Sequence, residues 1–243
     1  MKDINILSID FDFFQKTSAE TMKTFYPDGI DLSPKLTELV WKSKYENARM
    51  CGEDLGVLVS LDREKLEELK RNLHASFSKN NSPYLMIRNS HVHAYDFVKT
   101  VLEKEQADGS HGVKIHIVNV DMHHDFFNKN ENLDCGNWLG KTEEYLSTQE
   151  FSHHIRWITQ PVAFEVYGLN DVSFFSEAVK FDFAELENVV WDAIFLCRSD
   201  AWLPPHLDSE FCDFANSLIE GVTYTGQIEE SAMQVRMYLE TKV

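Results

Sequence analysis

The run Val118-Asn119-Val120-Asp121-Met122-His123-His124-Asp125 passes from β-branched residues directly into three potential metal ligands at alternate positions. In an extended chain residues i, i+2 and i+4 share a face, so Asp121, His123 and Asp125 are expected to converge just beyond a sheet edge. His124 is expected to point elsewhere. Carboxylates mixed with one imidazole suit Mn²⁺ or a similar divalent ion better than a structural zinc, which prefers Cys and His.

A second acidic pair closes the N-terminal run Asn5-Ile6-Leu7-Ser8-Ile9-Asp10-Phe11-Asp12, which reads as a buried strand with Asp10 and Asp12 on one face. Four carboxylates gathered at reduced dielectric repel strongly unless they take up protons or bind cations. Two divalent ions would neutralise them. A third candidate is Arg88-Asn89-Ser90-His91-Val92-His93, where His91 and His93 compete to supply one more nitrogen ligand.

These segments need a scaffold that brings separate strand ends together. Short apolar strands are expected at Ile4–Phe11, Tyr84–Arg88, Val113–Asp121, Ile155–Thr159 and Ala193–Arg198. Helices are expected at Ser33–Ala48 with Pro34 in its first position, Leu61–Phe77 after a Ser60 cap, Ala94–Lys104, Trp138–Ser147, Leu207–Glu220 and Glu229–Thr241. Gln106 to Gly112 reads as an exposed loop. The alternation predicts an α/β fold, a three-layer sandwich whose mainly parallel sheet is covered by helices on both faces. In such sheets chemistry gathers at the carboxyl ends of the strands, where all three candidate segments lie.

A chain of 243 residues with 43% hydrophobic residues is expected to form one domain, 1–243. Its formal charge of -17 argues against nucleic acid or an anionic membrane and favours a cationic substrate. Without a leader ahead of Asp10 or an apolar run of membrane-spanning length, a cytoplasmic protein is expected. Cys51, Cys135, Cys197 and Cys212 lack CxxC spacing and read as reduced thiols. Cys135 is the one nearest in sequence to the ligand run, but nothing adjacent marks it as an activated nucleophile.

The segments Asp121-Met122-His123-His124-Asp125 and Ser8-Ile9-Asp10-Phe11-Asp12 resemble the D-x-H-x-D and S-x-D-x-D runs of the arginase and deacetylase superfamily of binuclear metal hydrolases. Cys135-Gly136-Asn137-Trp138-Leu139-Gly140 is similar to the S-G-N-x-H-G segment of arginases, with Leu139 at the histidine position. Ser90-His91-Val92-His93-Ala94 looks like the segment carrying the first histidine ligand, which favours His91. The S-x-D-x-D strand opens this chain instead of following the other run, so the motif order is permuted. The chain is therefore most similar to small, divergent arginase-like proteins that include peptide arginases.

By that resemblance His91, Asp121, Asp125 and Asp10 would hold one Mn²⁺, and His123, Asp121, Asp10 and Asp12 the other, with Asp121 and Asp10 bridging. The implied reaction converts arginine to ornithine within a ribosomally made precursor peptide, with release of urea. Asp125, His93 and Asp200 are candidates for the proton step. Asp200 and Asn137 are candidates for substrate contact, while Trp138 and Trp202 read as core or rim aromatics. The alternative enzymes are a deacetylase-like amide or amidine hydrolase and a phosphatase with Asp10 as nucleophile. A metal-stabilised module that binds a basic peptide is the non-enzymatic alternative.

Overall fold

A computed structural model describes residues 2–25, 34–79, 83–107, 112–127, 132–149, 151–167 and 179–221. In chain order the elements are β1 (Lys2–Asp10), β2 (Gln15–Lys16), α1 (Ala19–Phe25), α2 (Pro34–Met50), α3 (Leu55–Leu58), β3 (Ser60–Leu61), α4 (Arg63–Phe77), β4 (Tyr84–Arg88), α5 (His93–Ala107) and β5 (Val113–Val120). They continue with α6 (Trp138–Thr148), β6 (Ser152–Ile158), α7 (Pro161–Tyr167), β7 (Val179–Lys180), β8 (Ala193–Cys197) and α8 (Asp208–Gly221).

Among the described residues six strands form one parallel sheet in the order β4-β8-β1-β5-β6-β7, and β2 pairs with β3 in a small antiparallel ribbon. The centre of the sheet is apolar on both faces. On β8, Ile194, Phe195 and Leu196 are fully buried, each contributing about 1.5–3 kcal/mol of apolar burial. Leu7 and Ile9 of β1 join one core, with Leu66, Leu69 and Leu73 of α4 and Phe211, Phe214 and Leu218 of α8. Ile4 and Ile6 point into a second core, with Phe97, Val98 and Val101 of α5 and Trp138, Leu139 and Leu146 of α6. The expected three-layer α/β sandwich is what the chain forms.

The departures from expectation are local. β1 and β5 stop at Asp10 and Val120, and β6 starts three residues before Ile155. Helix α4 begins at Arg63 with Asp62 as its cap, because the Asp62 side chain accepts from Lys65 N at 3.1 Å while Ser60 is paired in β3. Helix α5 runs on to Ala107, into the expected loop, whose residues 108–111 lie outside the described residues. Ser33 and the expected helix Glu229–Thr241 also lie outside them. The short helices α1, α3 and α7 and strand β7 carry too little periodicity to have been anticipated.

Candidate metal centre

One face of the paired strands β1 and β5 turns polar near their carboxyl ends. Ser8 and Asp10 continue the face of Ile4 and Ile6, and Asn119 and Asp121 continue that of Ile115 and Ile117. Ser8 and Asn119 are register partners, so the sheet itself aligns this polar seam.

The side chains beyond the seam meet through turns. After Asp10 the chain enters a 3-10 turn over Phe11–Phe14, in which Asp10 Oδ1 accepts from Asp12 N at 3.1 Å. After Val120, Asp121 Oδ1 accepts from His123 N at 2.8 Å, and Asp125 takes a left-handed backbone with φ of 54°. The expected extended alternation is not what makes these residues converge. Each first carboxylate instead caps the backbone two residues on and folds the later ligand back towards it. A left-handed aspartate is a strained conformation that the surroundings must impose.

All six expected ligands are buried here: Asp10, Asp12, His91, Asp121, His123 and Asp125. His91 Nδ1 lies 3.2 Å from Asp10 Oδ2, 3.0 Å from Asp121 Oδ2 and 3.3 Å from Asp125 Oδ2. His123 Nδ1 lies 3.3 Å from Asp12 Oδ2 and 3.4 Å from Asp121 Oδ1. Asp121 thus reaches one imidazole with each oxygen. The groups Asp12, Asp121, His123 and His91, Asp121, Asp125 each bring three ligand atoms within 4.8 Å of one another.

The residues fit a pair of divalent ions. Asp12 Oδ1, His91 Nδ1 and Asn119 Oδ1 are buried without a hydrogen-bond partner. The oxygens around His91 Nδ1 are close enough for ion pairing but are not aligned as acceptors. Buried polar atoms are normally satisfied, so unpartnered atoms clustered among carboxylates mark a place that could hold a cation. Four carboxylates with two imidazoles form a hard, mixed oxygen and nitrogen donor set.

A supporting layer orients these ligands. Ser8 Oγ lies 2.6 Å from His91 Nε2, which turns Nδ1 towards the carboxylates. Tyr167 Oη lies 2.8 Å from His123 Nε2 in the same way. Asn119 Nδ2 donates to Asp121 Oδ2 at 3.3 Å and to Asp125 Oδ2 at 3.4 Å, and Trp138 Nε1 donates to Asp125 Oδ2. Ser199, whose φ is 64°, donates from Oγ to Asp12 Oδ2 at 3.3 Å.

The electrostatics show what the cluster costs without cations. Burial, with the charges of Asp12 and Asp121, pushes Asp10 up to about 7. Burial and the Asp121 charge also raise Asp12 and Asp125. Burial pushes Asp121 up, but His123 and His91 outweigh it and hold Asp121 well below the carboxylate range. Burial pushes His91 down, but the surrounding carboxylates of Asp10, Asp121 and Asp125 outweigh it and hold the ring well above its ordinary value. His123 is raised against burial by Tyr167, Asp12 and Asp121.

The centre opens into a cavity of about 350 Å³, lined by Asp10, His91, His123, Asp125, Phe127, Asp134, Cys135, Gly136, Ser199 and Trp202. Trp202 lines the cavity with its ring tilted 47° at 4.5 Å from His123 and so forms the rim, whereas Trp138 is fully buried 4.9 Å from the His91 ring.

Three expected residues stand apart from this cavity. Asp200 is buried in an ion pair: its Oδ1 accepts from Arg198 Nη1 at 2.8 Å and its Oδ2 from Asn89 Nδ2 at 3.1 Å. Both oxygens are committed within the fold, and Ser199 takes the place beside the ligands. His93 opens α5, half-buried, and is not among the lining residues. Asn137 is fully buried, with Oδ1 accepting from Asp134 N at 2.9 Å and Nδ2 donating to Asn132 O at 2.8 Å. It shapes the wall formed by Asp134, Cys135 and Gly136 without lining the cavity.

Sequence reasoning missed Ser8, Asn119, Ser199 and Tyr167 as supports. For Ser8 and Asn119 a signal existed, since each is a polar residue inside an apolar strand run. Comparison of the chain with protein-family models, with curated proteins and with solved structures finds no match.

Proposed function

We propose that the chain is a binuclear, manganese-dependent hydrolase of a guanidino group, acting as a peptide arginase that converts arginine to ornithine in a ribosomally made precursor peptide. The observation that carries this reading is Asp121, whose two oxygens face two different imidazoles, each backed by further carboxylates. That arrangement fits a carboxylate bridging two ions. Asp10, Asp125 and His91 would complete one position, and Asp12 and His123 the other.

When bound, such ions supply Lewis acidity, lowering the pKa of a water towards neutrality and polarising the group attacked. The protein's own groups do the rest. The guanidinium is planar and cationic, and the cavity offers it the carboxylate of Asp134 with the rings of Phe127 and Trp202 as walls. Hydrolysis breaks the bond from the guanidinium carbon to the side-chain nitrogen, releasing urea and leaving the ornithine amine. That nitrogen must gain a proton. Of Asp125, His93 and Asp200, Asp125 alone lines the cavity, and with Oδ2 held by Trp138 and Asn119 its Oδ1 is the atom left to move a proton.

The phosphatase alternative asks for a lysine beside an aspartyl nucleophile. Among the described residues, those lining the cavity include no lysine, and Asp10 is committed to the turn and to His91. The deacetylase-like amide or amidine hydrolase shares the donor set, and substrate comparison separates it.

The test incubates Mn²⁺-loaded protein with arginine-containing peptides, free arginine, agmatine and an acetyl-lysine peptide, following urea and peptide mass. Urea together with an arginine-to-ornithine mass change on peptides supports the proposal. Deacetylation, with no urea from any guanidine, overturns it.

A further inference from the structure

Cys197 ends the central strand β8 as the register partner of Asp10 on β1, and its side chain shares a face of β8 with Phe195. The His91 ring stacks on Phe195 at 5.6 Å with an interplanar angle of 7°, which places it over the same end of the strand. As a result Asp10, His91 and Cys197 bring a carboxylate oxygen, an imidazole nitrogen and a thiol sulfur within 4.8 Å of one another, all three buried. Ser199 N donates to Cys197 Sγ at 3.2 Å, an interaction that favours the sulfur as a thiolate. The second observation pointing to a ligand is His91 Nδ1, which is 97% buried, without a hydrogen-bond partner and directed into this group.

We propose that Cys197 is a further metal ligand, making the position of His91 and Asp10 thiophilic while the position of Asp12 and His123 keeps only oxygen and nitrogen donors. This rests on the binuclear-centre reading above and deepens it: the two positions differ in softness, so one prefers Zn²⁺ or Co²⁺ and the other takes Mn²⁺. Binding at the first position releases the thiol proton to solvent. Separations below 4.8 Å suit ligands sharing one ion, for which metal–sulfur and metal–nitrogen bonds are about 2.3 and 2.1 Å.

The experiment loads the full chain with Co²⁺ and records metal content and the near-ultraviolet thiolate-to-cobalt charge-transfer band, in the wild type and in C197S and C135S. The second variant is needed because Cys135 lines the same cavity. The proposal expects the band in the wild type and in C135S, and its loss in C197S with at least one Co²⁺ retained. X-ray absorption of the Zn²⁺-loaded wild type, which needs no variant to fold, should find one sulfur in the coordination shell. Bound cobalt with no band and no sulfur overturns the role of Cys197 and leaves the binuclear centre standing. Loss of the band in C135S alone also overturns it. Failure to bind any cobalt or zinc overturns both readings.

Discussion

Ser8 and Asn119 are register partners on adjacent parallel strands, and each supports a different part of the centre: Ser8 orients His91, and Asn119 holds Asp121 and Asp125. Neither side chain is among those lining the cavity. Outer-layer partners of metal ligands typically contribute about 10–100-fold to affinity. S8A and N119A are therefore expected to weaken Mn²⁺ binding by about 10–100-fold while the circular dichroism spectrum is unchanged. Unaltered affinity in both would remove the supporting role.

Protons and metal compete for the same groups. Without metal, Asp10 is raised to about 7 and both imidazoles are raised, so folding retains protons there that the unfolded chain gives up. Groups whose folded pKa is raised contribute stability that is present at low pH and is lost as pH climbs through the folded value. Burial holds His124 at about 4, so it works the other way, but its effect lies below its ordinary value of 6.5. Between pH 6.5 and 8 the metal-free protein should thus lose stability. Mn²⁺ affinity should rise over the same interval, with proton release measurable by calorimetry in buffers of different ionisation enthalpy. A metal-free stability that rises with pH would contradict the pairing.

Asp200 separates a structural from a catalytic role. D200A leaves Arg198 with Asp208 as its remaining partner but breaks a buried ion pair, which typically costs about 3–5 kcal/mol. The expected outcome is a lower urea-denaturation midpoint with metal stoichiometry intact. Full stability combined with lost turnover would return Asp200 to the substrate.

Trp202 should matter to the substrate more than to the fold, since it is half-buried at the cavity rim. A cation over an indole gains about 0.5–2 kcal/mol, so W202A is expected to raise KM for arginine peptides by roughly 2–30-fold, with kcat less affected. An unchanged KM would place the guanidinium elsewhere.

Much of this was legible in the sequence, and the reasons are physical. Apolar runs located the parallel strands and their carboxyl ends, and residue type picked out five of the six side chains that meet, the resemblance adding His91 over His93. His91 is favoured over His93 in space because Ser8 and Phe195 hold its ring, contacts between elements 83 and 104 residues apart in sequence. The turns that fold Asp12 and Asp125 inward depend on carboxylates capping their own backbone, which strand alternation does not reveal. Asp200 shows the same limit: a strand-end carboxylate reads equally as a substrate contact or as a partner of Arg198, and in the fold Arg198 and Asn89 hold both its oxygens.

The central claim is that separate strand ends build one two-ion centre bridged by Asp121. Metal analysis and electron paramagnetic resonance of the Mn²⁺-loaded protein test it most directly, with D121A alongside. Two ions per chain with the spectrum of an exchange-coupled pair, lost in D121A, is the predicted result. A single uncoupled ion, or two ions whose spectrum D121A leaves unchanged, would contradict it.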